Sequence, residues 1–227
     1  MKYKILFVDE EQETLDEFLD YVERSPHKGN IEAMTELPLS SLDEMVEYII
    51  KLNPDALITD FRLNDSRESI NYNVPYNGVE LVRAFQGIRG HFPCFVMTAF
   101  DDQAVSKSED VNIVYIKHIL YANNKEVQAK AQFLDRVLSQ INHYKSKIRE
   151  AEQEIGKLIE LRKSGNATIK DEERLIELDH FLENSIDGRF SIPAEYKTLS
   201  NADKLSDIMD KVDKLIDEFE EHGENKL

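Results

Sequence analysis

The sequence predicts an α/β fold: a doubly wound, five-stranded parallel sheet over residues 1–123, followed by an all-α region over residues 124–227. Three observations carry this prediction. Short continuous apolar runs recur through the first half of the chain, amphipathic helical patterns alternate with them, and the strand signal stops near Lys125. Apolar runs separated by helix-length segments read as parallel strands buried on both faces, and their alternation implies right-handed crossovers.

Taken in order, Ile5-Leu6-Phe7-Val8 reads as the first strand, and Leu15, Phe18, Leu19 and Val22 mark the helix after it. A weaker run from Ile31 to Thr35 serves as the second strand. Met45, Tyr48, Ile49 and Leu52 then form a helical stripe that ends at Asn53-Pro54, with Ser41 and Glu44 spaced as a capping box. Ala56-Leu57-Ile58-Thr59 is the third strand, and Val79, Leu81, Val82 and Phe85 mark a helix after Gly78. Cys94-Phe95-Val96-Met97 and Ile113-Val114-Tyr115-Ile116 complete the set of strands.

Beyond residue 124 the pattern is helical throughout. A long helix is expected over about 125–163, with Leu134, Leu138, Ile141, Ile148, Ile155 and Ile159 along a coiled-coil-like seam that Lys145 and Glu152 interrupt. Ser164-Gly165-Asn166 breaks it. A second helix over about 170–184 carries Leu175, Leu178, Phe181 and Leu182, and a third over about 200–222 carries Leu205, Ile208, Met209, Val212, Leu215, Ile216 and Phe219. Such stripes need burial, either within a helical bundle or in a homodimer formed through these helices.

Composition narrows the function. The 227 residues are 41% hydrophobic and 9% aromatic, enough for a packed core. The net charge of −17 opposes binding to nucleic acid, and both halves are acidic: 11 Lys+Arg against 22 Asp+Glu in residues 1–123, and 17 against 23 in 124–227. Without a membrane-length apolar stretch, and with Met1-Lys2-Tyr3-Lys4 leading straight into a strand, no membrane association and a cytoplasmic location are expected. Cys94, the one cysteine, lies inside an apolar run and reads as a structural thiol. The six histidines show no metal-ligand spacing; His143 and His180 fall on the C-terminal helices and read as surface residues.

The chemistry lies at the ends of the strands. The four strongest apolar runs stop at Asp9, Asp60, Thr98 and Lys117, two acids, a hydroxyl and an amine. Open parallel sheets bind ligands outside the carboxyl ends of their strands, so these groups are expected to meet. A carboxylate can accept a phosphoryl group, provided its own charge and that of the phosphate are offset. Taken singly, Asp60 also suits a loop or helix cap, and Asp9 and Glu10 suit the first turn of the helix that follows. Their coincidence favours a site.

The set Lys4-Ile5-Leu6-Phe7-Val8-Asp9-Glu10-Glu11, Leu57-Ile58-Thr59-Asp60, Val96-Met97-Thr98-Ala99 and Tyr115-Ile116-Lys117 resembles the receiver domain of bacterial two-component response regulators, over residues 1–123. The resemblance implies a flavodoxin-like sheet and a phosphoacceptor at Asp60. It also implies Mg²⁺ held by Asp9, Glu10, Asp60 and the backbone carbonyl of Arg62. Lys117, Thr98 and the amide of Ala99 would then hold phosphate oxygens, and a histidine kinase or phosphotransfer protein would be the donor. The implied role is signalling rather than catalysis on a substrate of its own; a phosphate sink and a phosphorylation-independent scaffold are the alternatives. The chain departs from the family's usual pattern in carrying Glu10 as its second metal acid, His118 after Lys117, and a long polar loop from Arg62 to Asn77.

Overall fold

Five parallel strands pair in the order β2-β1-β3-β4-β5: β1 (Tyr3–Val8), β2 (Ile31–Glu36), β3 (Ala56–Asp60), β4 (Cys94–Thr98) and β5 (Val114–Ile116). The structure, a computed structural model, describes residues 2–64, 71–98, 114–116, 127–193 and 197; for 114–116 and 127–132 it describes the backbone alone. The parallel α/β architecture expected from the apolar runs is present. Each central strand is buried on both faces because helices cover both, which is why β3 and β4 are buried along their whole length.

One face of the sheet packs under α2 (Leu42–Leu52) and α3 (Gly78–Ile88), where Leu6, Leu57 and Val96 meet Met45, Ile49, Val82 and Phe85. Helix α2 ends at Asn53, which takes a left-handed conformation with φ 50° ahead of Pro54. The capping box expected there does not form: the Ser41 side chain makes no capping bond, and Ser40 Oγ donates to Glu44 instead at 3.3 Å. Helix α3 does begin with a full box, since Asn77 accepts from the Glu80 N–H and Glu80 accepts from the Asn77 N–H.

The opposite face packs under α1 (Gln12–Glu23) and the first half of a long helix, α4 (Val127–Lys163). Phe7, Ile58, Phe95 and Met97 lie against Phe18 of α1 and against Phe133, Leu134, Val137 and Ile141 of α4. The chain divides into two compact units, Met1–Arg149 and Glu150–Leu227, so the sheet-bearing unit runs past the boundary expected at residue 123. The physical reason is plain: a doubly wound sheet needs cover on both faces, and α1 alone does not cover Phe95 and Met97. Three apolar positions read as part of a coiled-coil seam, Leu134, Leu138 and Ile141, are therefore core residues of the first unit. Lys145, an apparent break in that seam, pairs with Asp55 at 2.7 Å and stands 5.3 Å from the centre of the Tyr3 ring.

In the second unit, the rest of α4 pairs with α5 (Ile169–Asp187) as a helical hairpin around Ala151, Leu158 and Leu178. Gly165, at φ 71°, ends α4: its N–H reaches the Arg162 carbonyl and the Asn166 N–H reaches that of Leu161. Thr168 and Asp171 form a capping box for α5, and Arg174 grips both carboxylate oxygens of Glu154 at 2.8 and 3.1 Å. The helix expected over 200–222 lies outside the described residues. Among those described, no helix is long and apolar enough to cross a membrane.

Candidate phosphoacceptor site

Strand register brings Asp9, Asp60 and Thr98 to one edge of the sheet. Val8 pairs with Thr59, so Asp9, the next residue, lies beside Asp60, the last residue of β3. Asp60 in turn pairs with Met97, which puts Thr98 one residue further along the neighbouring strand, and Thr98 pairs with Ile116 of β5. Asp9 and Asp60 also continue the same side-chain alternation, that of Phe7 and Ile58. Lys117 and Ala99 lie outside the described residues; the backbone register sets β5 so that the chain leaves it at the carboxyl edge.

These polar groups are deeply placed. Asp9 is 0%, Glu10 4%, Asp60 5% and Thr98 2% exposed. Charged residues are rarely this buried without a task, since taking a carboxylate out of water is costly. Short backbone turns hold both aspartates: Asp9 Oδ1 accepts from the Glu11 N–H at 3.0 Å, and Asp60 Oδ2 accepts from the Arg62 N–H at 2.9 Å. Thr59 Oγ1 donates to the Asp60 carbonyl at 3.1 Å.

Sequence reasoning passed over Gly78. Its N–H donates to the Phe61 carbonyl at 2.9 Å, and a methyl group in place of its hydrogen would lie 2.0 Å from the carbonyl oxygen of Asp60. Helix α3 thus starts in direct contact with the backbone of the candidate phosphoacceptor, which requires glycine there. The Asn77-Gly78 pair followed by Glu80 was the available signal for the helix start, though nothing in it pointed to Asp60.

The long loop after Asp60 returns to its own base. Asn64 Oδ1 accepts from the Val74 N–H at 3.4 Å, and Val74 is buried against α2 and α3. Two tyrosines strap the returning half to the β2–α2 connection, with Tyr72 Oη donating to the Pro38 carbonyl at 2.7 Å and Tyr76 Oη to that of Leu39 at 2.8 Å. Burial, the larger cause, pushes the Tyr76 hydroxyl above its ordinary range. Residues 65–70 of the loop lie outside the described residues.

Among the described residues, no three His, Cys, Asp or Glu side chains converge as a metal-holding group. The chemistry still suits magnesium, because Asp9 and Asp60 are buried neighbours in register and magnesium takes one or two protein carboxylates while keeping several waters. Glu10 stands one residue farther beyond the end of β1.

No protein-family model matches the sequence, and no curated protein does. Solved structures do align with it. The BeF3-activated DrrB receiver domain matches at 17% identity over 61% of this chain and 99% of its own, with a TM-score of 0.41. The anti-anti-sigma factor PhyR from Bartonella quintana matches at 14% identity over 67% of this chain and 52% of its own, with a TM-score of 0.45. A response regulator receiver domain from Methylobacillus flagellatus matches at 13% identity over 51% of this chain and 84% of its own, with a TM-score of 0.35. In structure, the chain is similar to response-regulator receiver domains, at low identity and over part of its length.

Proposed function

We propose that this chain is a phosphoacceptor receiver protein of a two-component or phosphorelay system, modified on Asp60, that signals through protein contacts of its helices. The observation that supports this best is the juxtaposition of buried Asp9 and Asp60 at the carboxyl ends of adjacent central strands, with Thr98 on the next strand. In the proposed reaction, a carboxylate oxygen of Asp60 attacks the phosphorus of a phosphohistidine on the donor protein. The P–N bond breaks, its electron pair stays on the imidazole nitrogen, which takes up a proton, and an acyl phosphate remains on Asp60.

Thr98 would donate its hydroxyl hydrogen to one phosphoryl oxygen, the Ala99 N–H would serve a second, and the Lys117 ammonium would pair with the developing negative charge. Asp9, Glu10, Asp60 and the Arg62 carbonyl would hold Mg²⁺, which supplies the positive charge that lets a carboxylate and a phosphate approach. The sheet keeps bulk water from the buried side of the site. A phosphorylated signal would act through α4, the helix that covers the sheet beside Phe95 and Met97 and continues past Arg149.

Incubation of the purified chain with a small phosphodonor and Mg²⁺, read by intact mass, tests the reading. One phosphoryl group is expected on the wild type and none on Asp60→Asn. No uptake with a competent donor would leave the scaffold alternative standing in its place.

A further inference from the structure

A second site lies at the opposite end of the sheet, in the first unit. There the start of β1 and one stripe of α4 enclose a cleft of about 460 Å³, lined by Lys2, Tyr3, Asn142, Lys145, Ile148 and Arg149. The four α4 residues fall at spacings that set them on a single helix face. The size falls in the range of small-molecule pockets. The geometry points to a binding site for a soluble diphosphate-bearing ligand, such as a nucleoside diphosphate.

Three cations meet here in a chain whose net charge is −17, so the cluster stands against the overall electrostatic trend. The cleft is also partly pre-organised. Lys145 is held at 2.7 Å by Asp55, whose other carboxylate oxygen accepts the Lys4 N–H at 2.9 Å. Tyr3 is fixed by its hydroxyl, which donates to Asn142 Oδ1 at 2.7 Å, and Arg149 Nε donates to the Lys145 carbonyl at 3.2 Å. Asp55 offsets one of the three positive charges, which leaves Lys2 and Arg149 to attract an anion. An arginine fork matches two phosphate oxygens at once and a lysine acts as a point charge. Tyr3 and Ile148 supply apolar wall for the organic part of the ligand, as small-molecule sites usually require.

The site shares no residue with the Asp60 edge, so it can be tested without reference to phosphorylation. The full chain, free of divalent cations, is titrated with ADP and separately with inorganic pyrophosphate, and backbone amide resonances are followed. Expected are shifts centred on Tyr3 and on Asn142 to Arg149, weaker binding at higher salt, and an affinity reduced about tenfold or more in Lys2→Ala/Arg149→Ala, the scale of losing charge-assisted hydrogen bonds. Both side chains are exposed, so the double variant keeps its fold, and Asp60→Asn binds as the wild type does. Absence of shifts, equal affinity in the double variant, shifts centred on the Asp9–Asp60 edge, or citrate binding as tightly as pyrophosphate would each overturn the assignment.

Discussion

Gly78 and the backbone of Asp60 are in contact: a β-carbon on Gly78 would lie 2.0 Å from the Asp60 carbonyl oxygen and 2.9 Å from Thr59 Cγ2. Neither neighbour yields easily, since the Asp60 carbonyl sits in the central strand and also accepts from Thr59 Oγ1 at 3.1 Å. Gly78→Ala is therefore expected to cost about 1–3 kcal/mol, the range of overpacking in a close-packed core. It should also impair phosphoryl uptake by displacing Asp60. Chemical denaturation and the intact-mass assay read the two effects separately; wild-type stability in the variant would contradict the contact.

The proposed site works against the stability of the fold. Asp9 and Asp60 are buried side by side, and like charges that close repel. Asp9→Asn should raise the stability of the metal-free protein, because it removes one of two neighbouring like charges, and should abolish Mg²⁺-dependent phosphoryl uptake. Thermal melts with chelator present, paired with uptake assays, check both; a variant destabilised without metal would mean that the acid serves mainly to cap the turn at Glu11.

The first half of α4 is part of the core of the first unit. Phe133, Leu134, Val137, Leu138 and Ile141 bury against the sheet face and α1. At roughly 1.5–3 kcal/mol per side chain, their burial contributes on the order of 10 kcal/mol, comparable with the entire stability of a domain. A chain cut after Arg149 should fold and accept phosphate, whereas one cut after Asn124 should be insoluble or unfolded. Circular dichroism and sedimentation of the two truncations decide; a folded, monomeric 1–124 fragment would contradict the packing seen here.

Alkaline pH should weaken the fold. The Tyr48 hydroxyl donates to Glu36 at 2.6 Å, and this bond, with burial assisting, pushes it from the ordinary value of 10 up to about 12. Burial drives Tyr21 and Tyr76 upward as well. A folded-state value above the unfolded one means that the stabilisation is complete below pH 10 and is lost as pH rises toward 12. Tyr48→Phe should lower the melting temperature near neutral pH and flatten its fall at alkaline pH; an unchanged slope would contradict the role of the Glu36 bond.

The sheet was readable in the sequence because stretches of strand buried on both faces, such as Ala56-Leu57-Ile58 and Phe95-Val96-Met97, are apolar at every position. Asp9, Asp60 and Thr98 were readable for the same reason, as polar residues that end such runs. The unit boundary was not. Periodicity reports that Leu134, Leu138 and Ile141 need burial, but a helix stripe carries no record of whether a sheet or another helix buries it. Gly78 escaped notice because its role depends on a close approach across the long loop from Arg62 to Asn77, which spacing alone does not reveal. The expected Ser41–Glu44 box shows the converse, a motif with suitable residues whose bond goes elsewhere, here from Ser40.

Asp60, among all the acids at this edge, is the proposed acceptor of the phosphoryl group. Borohydride reduction of the phosphorylated chain converts an acyl phosphate to an alcohol, and peptide sequencing by mass spectrometry then locates it. A single homoserine in place of Asp60 is expected, formed only when Mg²⁺ and phosphodonor are both present. Reduction at Asp9 or Glu10 instead, or an unmodified Asp60 in a chain that has gained phosphate, would contradict it.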